Sequence, residues 1–186
     1  NLLPENAVSS ELGFKYGFNS TFFSISAFNR NTDNLIDWVR PSVDSAWSPI
    51  NYNKNTFLGW EAKIDFPIFK PLEINFHGSY CYLNAQNFGN DQLISKNALN
   101  YLRNQAVIGL NFKILKGLNA NIQCRIFDRN VGQTTYKIFS GKLTYAVSQK
   151  MNAYLNFQNI NNIQFAEIST VPLPSRWTMF GVAYKL

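Results

Sequence analysis

The chain has 186 residues, with 17 Lys and Arg against 11 Asp and Glu, and a net charge of +6. Hydrophobic residues make up 46%, which excludes a disordered chain, while charged residues are only 15%, against about 25% in an ordinary soluble domain. No apolar run approaches the roughly 18 residues that a transmembrane helix needs, so a helical membrane protein is excluded. A transmembrane β-barrel, which hides its hydrophobicity by alternation, stays open.

The N-terminal Asn1-Leu2-Leu3-Pro4-Glu5 has no basic region and no apolar run, so it does not read as a signal peptide. From there the pattern has a period of two. Leu12, Phe14, Tyr16 and Phe18 alternate with Glu11, Gly13, Lys15 and Gly17. Phe23, Ile25 and Ala27 alternate with Ser24 and Ser26. Over 58–66, Leu58, Trp60, Ala62, Ile64 and Phe66 oppose Glu61, Lys63 and Asp65. Over 72–83, Leu72, Ile74, Phe76, Tyr80 and Tyr82 oppose Glu73, Asn75, His77 and Ser79. Over 102–114, Leu102, Ala106, Ile108, Leu110, Phe112 and Ile114 oppose Arg103, Gln105, Asn111 and Lys113, with Asn104 a polar exception on the apolar face. Over 118–127, Leu118, Ala120, Ile122, Cys124 and Ile126 oppose Asn119, Asn121, Gln123 and Arg125. Phe139, Leu143, Tyr145 and Val147, then Ala153, Leu155 and Phe157, and finally Phe180, Val182, Tyr184 and Leu186 continue the series. Each segment is a strand with one apolar and one polar face.

About nine strands result, most near the roughly ten residues that cross a bilayer when tilted, and longer than the usual five or six of a soluble sandwich. Alternation alone does not say which face points inward, and a lipocalin-like barrel would put the apolar face inside. The connections decide between the two. Links at 19–20, 67–71, 115–117 and 148–150 are short. Those at 31–55, 84–100 and 159–176 are long, and 129–135 is intermediate. All short turns then fall at one end, as in outer-membrane barrels. Trp60, Tyr80, Tyr82, Tyr16, Phe18, Tyr145 and Tyr184 fall on the apolar rows and fit interfacial girdles.

With the apolar face towards lipid, the lumen receives Glu61, Lys63, Asp65, Glu73, Asn75, His77, Arg103, Gln105, Arg125 and Lys142. Cys81 then faces inward and Cys124 outward, so no disulfide joins them. His77 has no partner at a zinc-site spacing, and no metal site or cofactor is expected. The positive charge is spread along the chain, which argues against nucleic acid as a partner. His77 and Ser79 make no triad, and no Gly-x-Ser-x-Gly elbow exists, so an enzyme is not expected.

The chain ends Met179-Phe180-Gly181-Val182-Ala183-Tyr184-Lys185-Leu186. Gly181, Tyr184 and Leu186 resemble the C-terminal signal read by the outer-membrane assembly machinery. Met179 replaces a polar residue there, and Leu186 the common Phe. That resemblance implies that Leu186 is the natural C-terminus.

An odd strand count leaves an unpaired edge, so the chain reads as part of a larger barrel. Leu3-Pro4-Glu5 with Glu11-Leu12-Gly13 resembles the "LKPE…ELG" lead-in to a mid-barrel strand of TonB-dependent outer-membrane receptors. Ala27-Phe28-Asn29-Arg30 with Thr32-Asp33-Asn34-Leu35-Ile36-Asp37 is similar to their "aFyR..tdnlId" segment. Asn51 with Gly59-Trp60-Glu61 resembles "N…GvE". Asn159-Ile160-Asn161-Asn162 and Pro172-Leu173-Pro174-Ser175-Arg176-Trp177 resemble "NlfN…PlPgR". Asn159-Ile160-Asn161-Asn162 is a loose version of its motif, and Ser175 stands where Gly is common. The order covers nearly the whole chain, and its flavour leans towards receptors of Bacteroidetes type.

The resemblance implies the last nine or so strands of a 22-stranded plugged barrel in the outer membrane of a Gram-negative bacterium. Plug, TonB box and earlier strands lie outside this sequence. It implies active uptake of a scarce nutrient, such as an iron chelate or cobalamin, driven through TonB. The loops 31–55 and 84–100 would form part of the ligand vestibule, with Trp38, Arg40, Trp47, Tyr52 and Phe88 as candidate contacts. Aromatics with an Arg suit a ring-bearing or anionic ligand. Residue by residue, packing the loops on themselves is the stronger reading of the same side chains. A passive porin-like channel or small self-standing barrel is the alternative function.

Overall fold

The computed structural model describes residues 1–87, 93–96, 101–130, 134–168 and 171–185. Nine long strands pair in an antiparallel meander: β1 (Asn6–Phe18), β2 (Thr21–Arg40), β3 (Ser48–Phe69), β4 (Ile74–Asn87), β6 (Leu102–Leu115), β7 (Leu118–Arg129), β8 (Tyr136–Ala146), β9 (Met151–Gln158) and β12 (Trp177–Tyr184). A two-residue β5 (Ile94–Ser95) joins the same sheet, and β10 (Ala166–Ile168) pairs with β11 (Val171–Pro172) apart from it. The sheet does not close on itself: β1 and β12 are its free edges. No helix among the described residues is long and apolar enough to cross a membrane.

The strand register carries the period-two reading across the whole sheet. Phe14 faces Ile25, which faces Ala62, then Tyr80, Ala106 and Ile126. Further along, Phe112 faces Ala120, then Leu143, Leu155 and Phe180. The opposite face runs Asn75, Asn111, Asn121, Lys142 and Asn156. Because side chains alternate, one register joins every apolar row into one surface. No second layer covers that surface. Leu12, Phe180 and Tyr184 remain 82%, 71% and 62% exposed, and the buried hydrophobic residues among those described number only five: Val39, Tyr52, Ala120, Phe127 and Ile138. A soluble barrel would pack these rows inward, whereas lipid solvates them.

The short turns lie at one end. Asn19-Ser20 closes Phe18 on Thr21 with Asn19 at φ 51°, and Lys116-Gly117 closes Leu115 on Leu118 with Gly117 at φ 83°. Positive φ matches the twist of the flanking strands, which is why Asn and Gly occupy these positions. Between β3 and β4 a short 3₁₀ turn (Lys70–Leu72) ends at Glu73, φ 49°. Leu72 therefore belongs to the turn and not to the strand that its alternation predicts.

The largest departure lies at the other end. Residues 31–55, expected as a loop, are mostly strand: β2 and β3 stay paired out to Val39 and Ser48, leaving only 41–47 as the connection. The extension is rich in Asn and loses the apolar alternation, since it stands beyond the apolar band. Arg103 also departs from simple alternation. It sits at an irregularity where Leu102 and Asn104 oppose the adjacent Arg129 and Asp128.

Candidate ligand vestibule and lumen wall

The β2–β3 extension builds a small structure of its own. β5 pairs with the edge of β2 opposite β3, at Val39–Ser95 and Arg40–Ile94, and Lys96 N–H donates to Trp38 O at 2.9 Å. The β4–β6 connection thus reaches across the hairpin. Asp37, Val39, Tyr52, Asn55 and Thr32 are buried in this region, and the Ser95 hydroxyl donates to the Asp37 carboxylate. Tyr52, expected either as a ligand contact or as packing for the loops, is only 3% exposed and packs the hairpin. Burial raises its phenol pKa above the ordinary 10.0, and the negative Asp37 adds to the rise.

The tip is different. The Arg40 guanidinium lies 4.5 Å from the Trp47 ring centroid, and Lys96 Nζ lies 5.8 Å from it. Arg40 Nη1 also donates to Val43 O at 2.6 Å. Trp38, on the neighbouring stretch of β2, is 45% exposed. Two cations around one indole form a surface suited to anionic or ring-bearing groups. Lys96 was not expected there, because its approach depends on the crossing connection. Phe88 lies outside the described residues.

On the polar face, Glu61 pairs with Lys63 at 3.9 Å and Glu73 with Lys113 at 2.7 Å. Asp65 is the register partner of His77. Asn111 bridges His77 Nδ1 at 3.3 Å and Asn121 at 2.8 Å. Arg125 donates to Gln105 at 3.2 Å and covers the Phe127 ring at 4.4 Å. A groove of about 340 Å³ runs along this face, lined by Asn75, Asn111, Lys113, Asn121 and Lys142 among others. The face is not uniformly polar. Phe28, Phe57 and Leu83 line it near Arg30 and Glu11. Phe165, from the long connection before β12, meets buried Phe127 edge-on at 5.4 Å and the Tyr136 ring at a tilt at 5.7 Å. Cys81 and Cys124 are free and stand on opposite faces, opposite Gln105 and Phe139 respectively. On the apolar face, the Asn104 exception is satisfied: Tyr80 Oη donates to it at 2.6 Å, and it donates to Asp128 at 3.1 Å.

The quoted motifs meet in space. Glu5 is 3.5 Å from Arg30 Nη2 and accepts from Ile36 N–H at 3.4 Å. Asn51 joins Leu3 to Asn34, donating to the carbonyls of both, at 3.0 and 2.7 Å. At the far end, Asn159 closes its turn through Ile163, Asn161 accepts from Phe139 N–H and donates to Lys137 O, and Asn162 accepts from Arg176 N–H. These asparagines stand in for backbone partners at strand ends, and their role in this chain is structural. Of the C-terminal residues, Gly181 lies beneath the Tyr154 ring, Tyr184 pairs with Met151 on the apolar face, and Leu186 is outside the described residues.

An open antiparallel wall with an uncovered apolar face, a polar face and all short turns at one end defines a segment of a transmembrane β-barrel. The sequence matches the family described as TonB dependent receptor-like, beta-barrel, over residues 1–185, and the chain belongs to that family. The sequence matches no curated relative. Among solved structures, the copper transporter OprC aligns with a TM-score of 0.79 at 15% identity, covering 99% of this chain and 32% of its own. The FrpB iron transporter from Neisseria meningitidis gives 0.73 at 14%, with 97% and 30% covered. The siderophore receptor PirA from Pseudomonas aeruginosa gives 0.71 at 14%, with 98% and 30% covered. The chain thus spans about a third of the length of these proteins, and at such identities the likeness is one of fold.

Proposed function

We propose that this chain is the C-terminal wall of a 22-stranded, plugged outer-membrane receptor that takes up a scarce nutrient with energy delivered through TonB. One observation carries the reading: the whole chain matches the family, yet its sheet of nine long strands and the short β5 is open at both edges, and the chain covers about a third of such receptors' length. An open sheet in lipid leaves unpaired backbone groups, so further strands must complete it. The receptor sits in the outer membrane of a Gram-negative bacterium, inserted there by the assembly machinery through its last strand. TonB acts through the plug, and the luminal rows of Glu61, Lys63, Asp65, Glu73, His77, Arg103 and Arg125 face that plug. Trp38, Arg40 and Trp47 join the ligand vestibule at the hairpin tip. Copper and siderophores in the names of similar structures favour a metal ion or metal chelate as the nutrient, with cobalamin in the same class of scarce cargo.

The test is the intact mass of the native polypeptide in outer-membrane fractions, followed by uptake with and without TonB. A species several times heavier than 21.3 kDa, whose uptake stops without TonB, is expected. A species of this mass that admits solutes passively overturns the reading in favour of a porin-like channel.

A further inference from the structure

The short-turn end carries a pattern that nutrient uptake does not use. Three of its four turns place a lysine at an exposed position: Lys70, Lys116 and Lys150. A fourth, Lys185, follows β12 and donates its backbone N–H to Lys150 O at 2.8 Å. The remaining turn, Asn19-Ser20, carries none. The single acid in these turns, Glu73, is already paired with Lys113. Among the described residues, none of the four lysines has an ion-pair partner.

Each of these lysines borders the apolar band. Phe69 and Leu72, 48% and 50% exposed, flank Lys70; Leu115, 54% exposed, precedes Lys116; Tyr184 precedes Lys185; Val147 bonds across the turn that holds Lys150. A lysine at such a strand end has a long apolar stem that lets its ammonium reach the plane where hydrocarbon ends. Lys150 and Lys185 stand side by side across β9 and β12, while Lys70 and Lys116 occupy separate turns, so the charges meet one level of the sheet at three places. A continuous anionic plane can engage all three places at once, whereas an acidic protein would need one local cluster.

We propose that this rim binds the headgroups of anionic phospholipids in the leaflet at the short-turn end, holding the wall at a fixed depth. The inference rests on the membrane reading above. It concerns the short-turn rim of the wall and is independent of the nutrient. A lysine near an anionic surface contributes about 1 kcal/mol, or about fivefold in partition.

The test compares the intact receptor with a variant carrying Lys70→Gln, Lys116→Gln, Lys150→Gln and Lys185→Gln. Both are reconstituted in phosphatidylethanolamine vesicles with or without phosphatidylglycerol, and the lipid retained after detergent extraction is measured by native mass spectrometry. Folding is scored by resistance of the inserted barrel to unfolding on a gel without boiling. The expected result is preferential retention of phosphatidylglycerol by the wild type, falling at least about fivefold in the variant, with insertion equal in both. Equal retention by two inserted proteins overturns the proposal and leaves the receptor reading intact. A wild type that does not insert at all overturns both. Capture of an acidic periplasmic protein without any preference for phosphatidylglycerol overturns the lipid assignment. If the fourfold variant fails to insert, the four single variants are measured in its place, and unchanged retention in all of them overturns the proposal.

Discussion

The Asn51 side chain forms a reciprocal pair with the Leu3 backbone: its Oδ1 accepts from Leu3 N–H at 2.8 Å, and its Nδ2 donates to Leu3 O at 3.0 Å. The amide acts as one residue of strand for a segment that precedes β1. Asn51→Ala removes both bonds and the one to Asn34 O. It should free residues 1–5 at a cost of about 1 kcal/mol, read as faster hydrogen exchange there with the β-sheet register unchanged. Unchanged protection at Leu3 would refute the role.

Gly181 opposes Tyr154 in the register, and a Cβ at Gly181 would run into the Tyr154 ring. The glycine therefore has a packing reason to be there, apart from any signal read during assembly. Gly181→Ala should cost about 1–3 kcal/mol through overpacking and slow barrel formation. Adding Tyr154→Ala removes the obstacle and should restore most of the loss. If the double variant assembles as poorly as Gly181→Ala, the residue is read as sequence and not as space.

Tyr52 combines burial with a hydroxyl that has no hydrogen-bond partner, next to buried Asp37. Its folded-state pKa is raised above the unfolded 10.0. The hairpin is therefore fully stable with respect to this group below that value, and it loses stability as pH rises from there through the raised pKa. Nicking of the tip by an alkaline-active protease should increase over that window. Tyr52→Phe should abolish the increase and be neutral or slightly stabilising at neutral pH, because it deletes an unsatisfied polar atom. The same alkaline nicking in Tyr52→Phe would refute this account.

The sheet was legible in the sequence because one period governs it: Leu58 to Phe66 and Leu118 to Ile126 need nothing beyond alternation to separate an apolar from a polar face. The hairpin extension was not legible. Asn31, Asn34, Asn51 and Asn55 read as loop residues, and Asn34 adopts φ 56° inside a strand that pairing alone maintains. The burial of Tyr52 and the approach of Lys96 to Trp47 were not legible either. Lys96 reaches Trp47 only because β5 pairs with Val39 and Arg40, more than 50 residues away along the chain, and no local pattern announces that pairing. The apolar Phe28, Phe57 and Leu83 on the polar face follow the strand parity and were simply outnumbered by charges in the segments that set the reading.

The face assignment itself can be tested with two native probes. Cys81 stands on the polar face between Glu61 and Gln105, and Cys124 on the apolar face between Ile108 and Phe139. They lie on different strands of one wall, so reagent chemistry can separate the two faces without any mutation. In the receptor embedded in vesicles, an acyl-chain nitroxide should quench a label at Cys124 and leave one at Cys81 untouched. In a plug-free form, a charged, water-soluble maleimide should modify Cys81 and spare Cys124, with the modified sites assigned by peptide mapping. The reverse pattern would turn the wall inside out. It would place Glu61, Lys63 and Arg125 in hydrocarbon, at a cost of about 2–4 kcal/mol for each basic residue near the bilayer midplane, and the apolar rows would then have to line a water-filled lumen. A reading in which both thiols react alike with the water-soluble reagent would mean that no lipid covers either face, and the membrane assignment would fail with it.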